Sequence, residues 1–209
     1  MVDHEELIQR LSCEAPAVSR PLPVATRALA FAAVAVVAGF AVTRLIPTAR
    51  LDWSAPGAGV FLANAGLSLV LGFIALAAAF TLSIPGRQSR GHVWIFAMVA
   101  LWLALNAAGI LVSGHALGRI GDGRYCFRFV ALAGAPMVAV TLFALRRTRS
   151  LRPMQTLLVA GAAIGFLAFG LLAFCHPAEM SVVDFAMHLL AAGALALVTV
   201  LVGRRLIAV

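Results

Sequence analysis

The stretch QTLLVAGAAIGFLAFGLLAF, Gln155 to Phe174, is twenty residues long and contains no ionisable side chain. A run of that length and character matches the hydrocarbon core of a bilayer, about 30 Å, when it is helical. It decides the fold class, because in lipid a segment of this length must satisfy its own backbone and only a helix does so. Five more runs of the same kind lie along the chain: Thr26–Ile46, Gly59–Leu82, His92–Val112, Cys126–Leu145 and Asp184–Val202. The chain of 209 residues is 63% hydrophobic and 11% charged, against about 25% charged in soluble domains. The expectation is an all-α, polytopic membrane protein of six transmembrane helices. Residues 1–25 form a polar tail and residues 26–209 the six-helix transmembrane domain.

The connections are short and carry turn residues: Pro47, Pro56, Pro85-Gly86, Gly121, Gly123, Pro153 and Pro177. Pro136 falls inside the fourth run, where it removes a backbone donor and is expected to kink the helix. The first 25 residues have no early apolar region, so no cleavable signal peptide is expected.

All sixteen basic residues are arginine, and the net charge is +8. They lie in short segments beside apolar runs, as topology determinants do. No soluble basic domain is present to contact nucleic acid directly. Six spans put both termini on one side. Arg10, Arg20, Arg27, Arg87, Arg90, Arg146, Arg147, Arg149, Arg152, Arg204 and Arg205 fall on that side, and Arg44, Arg50, Arg119, Arg124 and Arg128 on the other. Eleven against five predicts both termini in the cytoplasm. The loops before the fourth span and after the fifth then face outward.

Beyond Phe174 the sequence continues CHPAEMSVVDFAMHLL, Cys175 to Leu190. With the outward loops assigned, Cys126 and Cys175 stand at the same oxidising face, at the start of one span and the end of the next. Cys13 lies in the tail. Two thiols at one level can pair as a disulfide, bind a soft or borderline metal, or pack as small apolar groups. His115, His176, Glu179, Asp184 and His188 fall at or near that face, and His115, His176, Glu179 and His188 are candidate auxiliary ligands. His176 and Glu179 also read as ordinary loop residues. His188 lies one turn inside the sixth span, where an ionisable group faces the bundle interior or a wet cavity. No CxxC or HxxxH pattern accompanies them. The expectation is no resident cofactor, with Cys126, Cys175 and His176 as candidates for transient soft-metal binding.

The tail, MVDHEELIQRLSCEAPAVSRPLP, holds Asp3, Glu5, Glu6 and Glu14, half of all the acids in the chain. Asp3 can cap a short helix with Glu6 at the capping-box position. Leu7, Ile8 and Leu11 then form one apolar stripe. Anionic lipid selects basic surface helices, so this acidic helix suits a basic groove on a cytoplasmic protein better. A frayed tail with no partner is the other reading. Within the spans, Asn64 and Asn106 are placed to bridge helices. Gly161, Gly165 and Gly170 give the fifth span a thin face.

Taken in order, several pieces resemble one bacterial family. A tail with an acidic-aliphatic start precedes six spans. Cys126 stands ahead of a span ending in LRRTRSLRP (Leu145–Pro153). The small-residue helix AGAAIGFLAFGLLAFC (Ala160–Cys175) follows, and DFAMHLL (Asp184–Leu190) opens the sixth span. The whole resembles the NrsF family of inner-membrane anti-sigma factors. That resemblance implies a non-enzymatic regulator that holds an extracytoplasmic-function sigma factor at the bilayer. It further implies release when two outer-face cysteines, by position Cys126 and Cys175, sense oxidant or heavy metal. Glu5, Glu6, Leu7, Ile8 and Leu11 would then meet the partner. A membrane thiol–disulfide redox protein, a small metal or solute transporter and a purely structural membrane subunit are the rival readings. The first expects a redox motif, and the second expects ionisable residues near mid-membrane.

Overall fold

The computed structural model describes residues 4–14, 22–45, 52, 54, 57–87, 92–113, 117–118, 124–148, 150–174 and 180–207. Among these residues the only regular structure is helical. Helix α1 spans His4–Glu14, followed by α2 (Val24–Leu45), α3 (Ala58–Leu82), α4 (His92–Ser113), α5 (Arg124–Leu145), α6 (Pro153–Leu171) and α7 (Val182–Ile207). The six helices α2 to α7 are each long and apolar enough to cross a membrane.

The helix ends follow local chemistry. Pro153 is the first residue of α6, where its missing N–H costs nothing. The Thr156 N–H closes the first turn onto the Arg152 carbonyl at 3.0 Å. At its other end α6 tightens into a 3-10 turn, Leu172–Phe174. Ser181 starts α7: its hydroxyl accepts the Asp184 N–H at 3.1 Å, and its carbonyl accepts the Phe185 N–H at 3.0 Å. Helix α7 runs past the expected end at Val202 and takes Arg204 and Arg205 into its last turn. Cations are favoured at a helix C-terminus, and long arginine stems reach out of the apolar layer. Pro136 lies within α5, which continues on both sides of it.

Helix α6 is the centre of the bundle. It packs against α3 on one side and α7 on the other, and Leu157, Ala160, Ala163, Ile164 and Ala168 are fully buried along it. Helix α7 also packs along α5, α2 lies against α5 and α3, and α4 is carried on α3. The glycines explain how closely α6 approaches its neighbours. A Cβ placed on Gly161 would fall 2.6 Å from the Ala196 Cα of α7, and one on Gly165 would fall 2.9 Å from the Ala192 Cβ. Gly170 belongs to a different contact: its Cβ would meet Leu69 of α3 at 2.6 Å. The thin face expected for this span is therefore two faces.

Polar residues in the spans are used locally. The Asn64 amide donates to Asn106 Oδ1 at 2.8 Å, and the Asn106 amide donates to Asn64 Oδ1 at 3.2 Å and to the Trp102 carbonyl at 2.8 Å. The Trp102 indole N–H donates to Ser68 Oγ, which itself donates to the Asn64 carbonyl at 2.8 Å. These bonds fasten α4 to α3, as expected of Asn64 and Asn106. Thr141 and Thr199 return their hydroxyls to carbonyls one turn back at 2.7 Å each.

Two features hold the end of the bundle that carries the termini. The Arg27 guanidinium of α2 lies 4.3 Å above the Phe80 ring of α3 and donates to the Ala144 carbonyl of α5 at 3.5 Å. The loop between α5 and α6 is fixed by Ser150. Its Oγ accepts the Arg152 N–H at 3.1 Å, lies 2.9 Å from Thr156 Oγ1 and reaches the Leu82 carbonyl at 3.3 Å.

Candidate functional site

The site of most chemical interest is built by the first turns of α5 and α7. With α6 running back between them, the two helices point in the same direction, and both begin at the end of the bundle opposite the termini. Cys126 is the third residue of α5, and Asp184 is the third residue of α7. His188 follows Asp184 by four residues, so the two share a helix face. The Cys126 thiol sulfur, a carboxylate oxygen of Asp184 and a ring nitrogen of His188 all lie within 4.8 Å of one another. Cys126 is half-buried, Asp184 is 8% exposed and His188 is fully enclosed.

An aromatic wall backs the site. The Phe169 ring of α6 meets the His188 imidazole edge to face, with centroids 5.3 Å apart. Trp102 packs edge-on against Phe166 at 5.2 Å and Phe169 at 5.1 Å, and tilted against Phe185 at 5.7 Å. This cluster ties α4 and α6 to the start of α7 and fixes the depth of His188. Thiol, carboxylate and imidazole together can hold a borderline metal, exchange protons or serve as a redox-sensitive centre.

Of the sequence-level candidates, Cys126 and His188 are brought together here. Cys175, His176, Glu179 and His115 lie outside the described residues. Asp184, expected at the same face but outside the set of expected auxiliary ligands, joins Cys126 and His188. The signal was present in the sequence, since DFAMH places an acid and an imidazole four apart. A mixed acid–imidazole pair of this kind matches neither HxxxH nor CxxC. The expected neighbour of Cys126 at the end of the fifth span, Cys175, lies outside the described residues. The described groups gathered beside Cys126 come from the sixth span, α7.

Helix α1 is the second candidate element. None of its residues is buried, and Leu7, Ile8 and Leu11 are 44, 60 and 59% exposed. The acids Glu5 and Glu6 sit in its first turn, where they complement the helix dipole.

Residues 11–208 match the family model NrsF, described as negative regulator of sigma F. The chain belongs to the NrsF family. It is accordingly placed among negative regulators of a sigma factor, and the match covers all six membrane-length helices. No curated protein and no solved structure matches it significantly.

Proposed function

We propose that this chain is an inner-membrane anti-sigma factor. It captures a cytoplasmic sigma factor of the extracytoplasmic-function group and releases it when cysteines at the outer face meet oxidant or heavy metal. The observation that carries this reading, beside the family match, is the uncovered apolar stripe of α1 on an acidic helix. An amphipathic helix whose apolar stripe is exposed is suited to lie in a groove of another protein. Its acids favour a basic groove over an anionic lipid surface. The arginine bias puts this helix in the cytoplasm and the start of α5 and α7 outside. The bundle then separates an input end, with Cys126 beside Asp184 and His188, from an output end, with α1 and the loop fixed by Ser150. Cys175 is the second thiol of the input end. The protein acts by binding and release, not by turnover.

The test is removal of residues 1–22. The truncated chain should reach the membrane and fail to retain its sigma factor in a pull-down, leaving the sigma factor's target genes constitutively active. Undiminished retention would end the α1 docking reading.

A further inference from the structure

We infer that Cys126, Asp184 and His188 form a binding site for a divalent cation of borderline softness, the class of zinc and cadmium. The three ligand atoms lie within 4.8 Å of one another. Tetrahedral zinc, with bonds of about 2.0–2.3 Å, sets its ligand atoms roughly 3.3–3.7 Å apart, so the trio must draw in by about 1.5 Å at most. Rotation of three side chains supplies that.

The donor set selects the ion. Sulfur, nitrogen and oxygen in one site suit zinc and its heavier congener. Calcium and magnesium take oxygen shells instead, and sulfur-rich sites favour copper(I). Burial adds to the argument. A carboxylate 8% exposed and an imidazole with no exposed surface lie together at the membrane end of a helix, where screening by water is weak and a divalent ion is held strongly by a carboxylate and a thiolate. Asp184 and His188 come from successive turns of α7, and Cys126 comes from α5. The ion therefore crosslinks the first turns of two helices. Cys126 binds as the thiolate, so its proton passes to water as the ion arrives. Three protein ligands leave one tetrahedral position open.

The consequence for signalling rests on the reading of Cys126 as the input site. Ion binding itself is measured without the sigma factor. The experiment uses the full-length chain in detergent, carrying Cys13→Ser to remove the exposed thiol of the tail. Cd²⁺ is titrated while its ultraviolet sulfur-to-cadmium charge-transfer band is followed, and Zn²⁺ is then added as competitor.

One Cd²⁺ per chain should bind, with Zn²⁺ displacing it. Asp184→Asn and His188→Gln should each weaken binding by about tenfold or more. Cys126→Ser should weaken it further and diminish the band, while His188→Cys should retain the ion and intensify the band. Parent-like Cd²⁺ affinity in folded Asp184→Asn and His188→Gln would overturn the site. If His188→Gln does not fold, His188→Cys carries the test, and an unaltered band there overturns it equally. A pull-down of the sigma factor on the same variants separates the two readings. Intact ion binding with no capture by any chain, parent included, counts against the anti-sigma reading and leaves the site standing.

Discussion

Asn64 and Asn106 face each other across α3 and α4 and exchange reciprocal amide hydrogen bonds at 2.8 and 3.2 Å. In a bilayer such a pair has no water to compete with, yet interhelical hydrogen bonds there average only about 0.6 kcal/mol and reach roughly 1–2. The cost of losing one partner is larger in kind, because the other amide stays buried without its cross-helix bond. Asn106→Leu should therefore lower stability by about 1–2 kcal/mol in a thermal or denaturant melt in detergent. The double variant Asn64→Leu/Asn106→Leu should lose less than the sum of the two singles. Additive losses would mean that the pair is not coupled.

Gly161 supports a second prediction. Its missing Cβ leaves room for the Ala196 backbone, which would otherwise lie 2.6 Å away. A backbone atom cannot rotate aside, so Gly161→Ala should push α6 and α7 apart and cost about 1–3 kcal/mol. Gly193 has nothing within 4 Å of its virtual Cβ. Gly193→Ala should be neutral or gain up to about 1 kcal/mol from helix propensity. Equal melting temperatures for the two variants would show that α6 and α7 tolerate a methyl group at their contact.

These two contacts also show what the sequence made legible. Asn64 and Asn106 stood out because polar side chains are rare in the spans and must find partners there. The six spans were legible because lipid permits so few alternatives, and their expected boundaries fall within a few residues of α2 to α7. The largest difference is at α7, where a boundary drawn before Arg204 ignored how far an arginine stem reaches. The glycine face was misread for a geometric reason. At about 100° per residue, Gly165 lies near Gly161 around the helix, but Gly170 is turned by about 180°, and it meets α3 instead. The site beside Cys126 was only half legible. The spacing of Asp184 and His188 is local and readable. That α7 brings these groups to Cys126 is a tertiary fact, and no periodicity within one helix encodes it.

Topology is tested by reporter fusions. A fusion after Arg152 should report cytoplasm, and one after Glu179 should report the outer compartment, as the eleven-to-five arginine distribution requires. Reversed signals would invert input and output ends, and the sensing scheme would fall with them.

The α1 helix is expected to bind through its apolar stripe and to steer through its acids. Buried anchors hold a complex, whereas rim charges chiefly speed encounter. Leu7→Ala combined with Leu11→Ala should weaken sigma-factor binding by tenfold or more, mostly through faster dissociation, on the order of 1.4 kcal/mol per tenfold. Glu5→Gln should slow association and flatten its salt dependence with a smaller effect on affinity. Surface-plasmon kinetics on nanodiscs would distinguish them. Unchanged dissociation in the double leucine variant would exclude the stripe from the interface.

In the proposed scheme the stimulus enters at Cys126. Cys126 opens α5, and the same helix ends at Leu145, directly before the loop that Ser150 fastens to the Leu82 carbonyl and to Thr156. A stimulus shifts a two-state protein only by its differential affinity for the two states. Moving from 99% bound to 99% free takes about 5.5 kcal/mol. A disulfide, at about 2–4 kcal/mol, supplies a large part of that difference, and a metal–thiolate bridge adds to the same currency. Such a bridge acts on the first turn of α5, and a helix transmits displacement to its far end because it is stiff. Cys126→Ser should therefore retain the sigma factor at rest and fail to release it on exposure to cadmium or oxidant. Ser150→Ala should leave capture intact and blunt the response, since the loop then loses its hold on the end of α3. Reporter activity from a sigma-dependent promoter measures both. If the Cys126→Ser/Cys175→Ser double variant responds like the parent, the cysteines are packing residues and the stimulus enters elsewhere.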